Sequence, residues 1–124
     1  MIFGAGIDVI ELDRFRKICG YDENEIIKGT FTPSEIKACS TDKDSARSFA
    51  ALFAAKEAFL KALGTGWQFG ISWKEIVIEK HYRSYEITPS GKAADICKQK
   101  KINKIYLSIQ PTEETATAVV ILEN

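Results

Sequence analysis

The sequence has few of the residues and segments that mark specialised classes of protein. Its 124 residues include three cysteines, one histidine and one methionine, and no C-x-x-C pair occurs. Lysine plus arginine (17) balance aspartate plus glutamate (17), which excludes a general nucleic-acid binder with its basic excess. The longest apolar run, Phe49 to Ala55, is far shorter than the ~20 residues that cross a bilayer. No basic stretch followed by an apolar stretch, typical of a secretory signal, opens the chain.

The cysteines themselves indicate a reducing compartment. Cys19, Cys39 and Cys97 are odd in number and far apart, so we expect free, buried thiols rather than a disulfide framework or a metal site. With 45% hydrophobic and 27% charged residues, the composition is that of a soluble globular protein. The length predicts a single domain spanning residues 1–124. We therefore expect a cytoplasmic protein with neither a membrane nor a nucleic acid as partner.

Start and stop signals predict three helices. The clearest covers residues 45–63, where Asp44 or Ser45 can cap the start and Gly64-Thr65-Gly66 ends the helix. A helix over 32–40 begins with Thr32-Pro33-Ser34-Glu35, which has the spacing of a capping box. A third helix is expected from Thr88-Pro89 to about Lys100. The segment 20–31 is interpreted as a loop or a short helix.

Alternating apolar residues predict five strands, over 2–10, 75–79, 83–87, 103–109 and 115–122. The resulting order of elements, β-α-α-β-β-α-β-β, is typical of an α+β protein. We expect the long helix to pack on a mostly antiparallel sheet.

The opening stretch, MIFGAGIDVIE, combines a G-x-G with an acidic residue. It is no dinucleotide-binding turn, because only three residues precede the first glycine and Val9 occupies the third glycine position. As a strand, its odd positions from Phe3 to Val9 share a face that we expect to pack into the core. Gly4, Gly6 and Asp8 share the other face, where glycines leave room for a ligand or another backbone. Asp8 could be a structural edge charge or a group that meets a metal.

A second carboxylate interrupts the apolar stripe of the long helix. Glu57 follows Phe53 by four residues and precedes Leu60 by three. Burying an ionised carboxylate is costly unless it has a partner. Lys61, four residues on, allows either a solvated helical ion pair or a site in which Asp8 and Glu57 hold Mg²⁺. In such a site Lys61 and the backbone amides of Gly64, Thr65 and Gly66 would meet phosphate oxygens.

Two segments carry a family resemblance. GIDVIELDRF together with FAAKEAFLKALGTG resembles the small bacterial type of 4′-phosphopantetheinyl transferase, the holo-acyl-carrier-protein synthase family. FTPSE and the terminal LSI…ATAVVILE lie in matching order, so the resemblance covers nearly the whole chain. It implies the 4′-phosphopantetheinyl transferase-like fold, Mg²⁺ as cofactor, and coenzyme A and an apo acyl carrier protein as substrates. It also implies a homotrimer with active sites between subunits.

The resemblance also implies residue roles. Asp8 and Glu57 would hold Mg²⁺ on the coenzyme pyrophosphate, Lys61 would contact phosphate, and Glu57 is our candidate for coupling metal and base. The carrier serine would attack the β-phosphate and release 3′,5′-ADP. Arg14 matches a position that meets the acidic carrier protein, and Arg16 and Lys17 add charge to it.

The chain departs from the family pattern at several positions. Leu52 replaces an arginine expected near the coenzyme phosphates, and Gln110 falls near the place of an expected histidine. Acidic Asp22, Glu23 and Glu25 follow the basic segment. Two other functions therefore stay open: a non-catalytic protein of this fold that binds the carrier or coenzyme A, and a coenzyme A thioester hydrolase.

Overall fold

The computed structural model describes residues 1–21, 23–66 and 70–124. The strands are β1 (Ile2–Glu11), β2 (Ile76–His81), β3 (Ser84–Pro89), β4 (Lys104–Pro111) and β5 (Thr115–Glu123). The helices are α1 (Leu12–Tyr21), α2 (Glu23–Thr30), α3 (Pro33–Ser40), α4 (Ser45–Leu63) and α5 (Gly91–Gln99), with a short 3-10 helix at Trp73–Glu75. A three-stranded antiparallel sheet has the order β1-β5-β4, and β2 and β3 form a separate antiparallel hairpin. The predicted α+β class is confirmed.

The helix α4 forms the centre of the core and has the predicted bounds. The Asp44 side chain accepts a hydrogen bond from the Arg47 N–H at 3.2 Å, which caps the start. At the other end Gly64 adopts a left-handed conformation (φ 78°) and donates its N–H to the Leu60 carbonyl. Twelve of the 19 residues of α4 are buried, and many of them are alanines, which allow close packing on the sheet.

The face of β1 that meets α4 is the opposite of the one predicted. A Cβ at Gly4 would lie 2.1 Å from the Ala62 carbonyl oxygen, and one at Gly6 would lie 2.1 Å from that of Ala58. Only glycine fits such an approach, so the glycines make room for α4 rather than for a ligand. Asp8 shares this inward face. The prediction that the odd positions pack into the core is wrong for Ile7 and Val9, which are 57% and 54% exposed, whereas Phe3 is half-buried against the core.

Two helix predictions also need correction. Residues 12–19 had no predicted structure and belong to α1, whose first residue, Leu12, donates its N–H to the distant Glu114 carbonyl. Of the segment 20–31, interpreted as a loop or a short helix, Glu23–Thr30 forms the helix α2. The helix expected from Thr88-Pro89 begins instead at Gly91, because β3 continues through Pro89 opposite Ile76. Proline is tolerated at the end of an edge strand, where no ladder N–H is required.

The N-terminus of α5 is capped from outside the helix. Glu75 accepts hydrogen bonds from the Lys92 and Ala93 N–H groups, whereas the Ser90 side chain forms no cap. Capping by a residue 17 and 18 positions before the donors leaves no local start signal in the sequence.

The cysteine prediction is confirmed where the structure describes the side chains. Cys39 and Cys97 are free and buried. Burial, followed by the charge of Asp42, raises the pKa of the Cys39 thiol to about 12, so this thiol stays protonated. The Cys19 side chain lies outside the described residues. No helix in the described part of the chain is both long and apolar enough to cross a membrane.

Candidate functional site

The strand β1 and the helix α4 bring Asp8 and Lys61 together. The Lys61 ammonium donates to Asp8 Oδ1 at 2.8 Å and to the Ile7 carbonyl at 3.1 Å. The Asp8 side chain is only 13% exposed, whereas that of Lys61 is 52% exposed. The hydrogen bond to Asp8 raises the pKa of Lys61. Lys61 therefore pairs with Asp8 across 53 residues of sequence, rather than with Glu57 along the helix.

The second oxygen of Asp8 is buried without compensation. Asp8 Oδ2 has no hydrogen-bond partner among the residues that the structure describes. A buried carboxylate oxygen without a partner loses its hydration and gains nothing in return. Such an oxygen is suited to a ligand from outside the chain, above all a cation.

Glu57 belongs to the same electrostatic group. Partial burial and then the charge of Asp8 raise the pKa of Glu57, while Lys61 lowers it by a smaller amount. Within the described residues, no side chain or backbone group forms a hydrogen bond or ion pair with the Glu57 carboxylate. The described residues of the site thus include two acidic groups that repel each other and one cation, Lys61, whose direct ion pair is with Asp8.

A pair of carboxylates is suited to Mg²⁺ rather than to a structural metal ion whose ligands all come from the protein. The described residues contain no cluster of three or more His, Cys, Asp or Glu side chains that could hold a metal. Mg²⁺ is commonly held by one or two carboxylates and completes its sphere with water and substrate phosphates. The orphaned Asp8 Oδ2 and the raised pKa of Glu57 are the features that a bound dication would relieve.

The raised pKa of Glu57 has a consequence for stability. A carboxylate whose pKa is higher in the folded state destabilises the fold above its unfolded pKa, because the unfolded chain releases the proton first. We expect Glu57→Gln to have a higher melting temperature than the parent protein at pH 7, with the difference disappearing near pH 4. Thermal unfolding in metal-free buffer across this range measures it, and a difference independent of pH would contradict the assignment.

The glycine loop after α4 is only partly available to a phosphate. The Gly64 N–H is used by the cap of α4, so it is not free to bind an anion. Gly66 also has a positive φ (53°), and the Thr65 side chain is buried with its hydroxyl near the Gly66 carbonyl. The amides of Thr65 and Gly66 remain the candidates from the predicted set. Trp67 and Phe69 lie outside the described residues.

The predicted basic residues of α1 have different surroundings. Arg14 lines a cavity of about 330 Å³ together with Val9, Phe15 and Phe53. Arg16 is instead held by Asp44, with its guanidinium 2.7 Å from Asp44 Oδ2. Lys17 is exposed. The acidic Glu11 also lines this cavity, whereas neither Asp8 nor Glu57 is among its lining residues.

A larger cavity of about 430 Å³ lies between α3, α4 and the β2–β3 hairpin. Leu52, at the position where the sequence comparison expected an arginine, is buried and contributes to its wall. His81 lies at the end of β2 and is exposed. Gln110 is exposed in β4, paired in the ladder with Thr117.

A buried ion pair that no sequence pattern indicated joins α4 to α3. The Lys56 and Glu35 side chains are both fully buried, with Lys56 Nζ 2.8 Å from Glu35 Oε1. Lys56 also donates to the carbonyls of Thr30 and Trp73. Glu35 is the predicted capping-box residue of α3, and its other oxygen accepts the Ile78 N–H at 2.8 Å. Only the presence of a lysine in an alanine-rich helix hinted at this network.

Comparison with known proteins relates nearly the whole chain to one family. Residues 4–120 match the family model of the 4′-phosphopantetheinyl transferase superfamily. The chain is 38% identical over 124 residues to a holo-[acyl-carrier-protein] synthase of Geotalea daltonii and 40% identical over 124 residues to one of Geobacter sp. strain M21, with 99% of each chain covered.

Solved structures show the same likeness. The holo-[acyl-carrier-protein] synthase of Neisseria meningitidis matches with a TM-score of 0.92 and 28% identity over 100% of both chains. That of Helicobacter pylori, in complex with coenzyme A, matches with a TM-score of 0.84 and 31% identity, covering 96% of this chain and 99% of that chain.

Proposed function

The chain belongs to the 4′-phosphopantetheinyl transferase superfamily, and from this we propose that it is a holo-acyl-carrier-protein synthase. It transfers the 4′-phosphopantetheine arm of coenzyme A to a serine of an apo acyl carrier protein and releases 3′,5′-ADP. The observation that carries the proposal is the Asp8–Glu57–Lys61 group, assembled between β1 and α4 in a chain that resembles such enzymes over its full length.

We assign the metal site of this reaction to Asp8 and Glu57, with Mg²⁺ as the ion. When bound, Mg²⁺ neutralises charge on the coenzyme pyrophosphate. Asp8 Oδ2 supplies a buried oxygen without any other partner among the described residues. Glu57 supplies a second carboxylate, whose pKa is raised by partial burial and then by the charge of Asp8. Lys61 is exposed enough to reach a phosphate oxygen, together with the amides of Thr65 and Gly66.

Glu57 is also our candidate for the proton acceptor. In the transfer, the serine oxygen forms a bond to the β-phosphorus, the bond from that phosphorus to the bridging oxygen breaks, and 3′,5′-ADP leaves. The serine proton must go to a base at hydrogen-bond distance. The Glu57 carboxylate forms no hydrogen bond or ion pair among the described residues, so one of its oxygens is open to this proton while the other holds the metal.

The carrier protein is expected to dock at α1. Arg14 is exposed at the cavity between β1, α1 and α4, so its charge can attract an acidic partner. Phe15 and Phe53 provide an apolar wall in the same cavity for a side chain near the carrier serine. Lys17 adds to the positive charge, whereas Arg16 is partly neutralised by Asp44.

We further propose that the chain, as one domain of residues 1–124, works in the cytoplasm as a homotrimer. The free thiols Cys39 and Cys97 suit a reducing compartment. The support for self-association is the outer face of the three-stranded sheet. There the exposed Ile7 and Val9 of β1 lie opposite Val119 and Thr117 of β5. Exposed apolar residues grouped on one face are typical of a protein–protein interface.

Replacing Ile7 with lysine is expected to dissociate the oligomer, since a charge cannot be buried unpaired at the centre of an apolar interface. Light scattering coupled to size-exclusion chromatography compares the mass of the variant with that of the parent. Lys98→Met on α5 serves as the control and keeps the parent mass. A parent protein that elutes as a monomer at tens of micromolar would contradict the proposed trimer.

The function is tested by incubating the protein with coenzyme A, MgCl₂ and several apo carrier proteins. Mass spectrometry should show one added phosphopantetheine on the carrier serine, with release of 3′,5′-ADP and loss of transfer in EDTA. Binding of coenzyme A without transfer to any carrier would favour the non-catalytic alternative. Release of a free thiol from acyl-coenzyme A, insensitive to EDTA, would favour a hydrolase.

A further inference from the structure

We propose that, in the free protein, the Lys61 ammonium occupies the proposed metal site in place of the metal ion. The ammonium thereby weakens metal binding until it binds a phosphate of the coenzyme instead. This inference rests on the proposed function and concerns how its two ligands, the metal and the coenzyme, depend on each other. Its starting point is that Lys61 binds Asp8, one of the two proposed metal ligands, in the free protein.

The contacts show why Lys61 occupies this position. Asp8 is largely buried, and Lys61 is the only cation within the described residues that forms an ion pair with it. The Ile7 carbonyl accepts a second hydrogen bond from the same ammonium. The backbone of β1 thus helps to hold the lysine head group against Asp8.

The same contacts show that the position is not permanent. More than half of the Lys61 side chain is exposed (52%), and Asp8 Oδ2 and Glu57 are left for another cation. A dication bound to these carboxylates would lie close to the ammonium, and like charges repel. The ammonium can move into solvent, or to an anionic phosphate at the mouth of the site. Metal and coenzyme should therefore strengthen each other's binding, and such a coupling is reciprocal.

The test is the affinity for Mn²⁺ alone, measured by calorimetry or electron paramagnetic resonance without coenzyme. Lys61→Met keeps the aliphatic stem and removes the charge, so we expect it to bind Mn²⁺ more tightly than the parent protein, by roughly the 5- to 150-fold range of such couplings. Lys61→Arg keeps the charge and should bind Mn²⁺ as weakly as the parent. Lys98→Met, on α5, controls for the change in net charge.

The outcomes separate this inference from the proposed function. Unchanged Mn²⁺ affinity in Lys61→Met would mean that Lys61 binds phosphate only and does not compete with the metal. Weaker Mn²⁺ affinity would mean that Lys61 orients Asp8 for the metal. Either result overturns the inference. Transfer activity of the parent protein is measured independently and can persist in both cases. Absence of Mn²⁺ binding by both the parent and Lys61→Met would overturn the inference and the metal assignment together. Melting temperatures of all variants show that the comparison is made between folded proteins.

Discussion

Replacing Glu57 with glutamine is expected to lower kcat for phosphopantetheine transfer by at least ~10²-fold, the scale seen when one preorganised electrostatic group is lost from an active site. The substitution keeps the size and shape of the side chain and removes its charge. It thereby removes one of two proposed metal ligands and the proposed proton acceptor. No ion pair of the described residues depends on Glu57, so the fold should persist, with the stability gain at neutral pH described above.

Asp8→Asn should have a comparable effect on kcat for a partly different reason. The amide keeps an oxygen at the site but loses the charge that holds Lys61 and attracts the metal. The KM for coenzyme A should rise in this variant as well, since the metal that neutralises the coenzyme pyrophosphate loses one of its two proposed ligands. Asp95→Asn on α5 is a matched control without an expected effect. Nearly full transfer activity in both Asp8→Asn and Glu57→Gln would contradict the assignment of the metal site to these two carboxylates.

Replacing Lys56 with methionine is expected to destabilise the protein by about 3–5 kcal/mol, the usual cost of removing one partner from a buried ion pair. The variant leaves the Glu35 carboxylate fully buried with only the Thr32 and Ile78 N–H groups as partners. It also leaves the carbonyls of Thr30 and Trp73 without the ammonium. Urea unfolding at pH 7 measures the loss, and Lys98→Met again gives the baseline for an exposed lysine.

A double-mutant cycle with Glu35→Gln separates the ion pair from simple loss of packing. Neutralising both partners removes the buried charge, so the double variant should be more stable than the sum of the two single effects predicts, by about 0.5–3 kcal/mol. Strict additivity would mean that Lys56 and Glu35 stabilise the fold independently. Because the pair joins α3, α4 and β2, a large coupling would also show that it holds these elements in register.

The fold and the site differ in how far the sequence predicted them. The helix 45–63 and the capping box at Thr32 and Glu35 were predicted with correct bounds, because their signals lie within a few residues of each other. The buried face of β1 was not. Alternation divides a strand into two faces, and large apolar side chains ordinarily mark the inner one. Here the glycine face lies inward, because α4 approaches the backbone too closely for any side chain.

By itself the sequence determined the α+β class, the caps of α4, and the two motifs that carry Asp8, Glu57 and Lys61. Only the tertiary structure decided that Lys61 pairs with Asp8 and that Lys56 pairs with Glu35. The physical reason is the separation in sequence over which each interaction acts. Caps and periodicity depend on neighbours within one or two turns, whereas these ion pairs join residues 53 and 21 positions apart. Their partners are chosen by how closely β1, α3 and α4 pack, which no local pattern encodes.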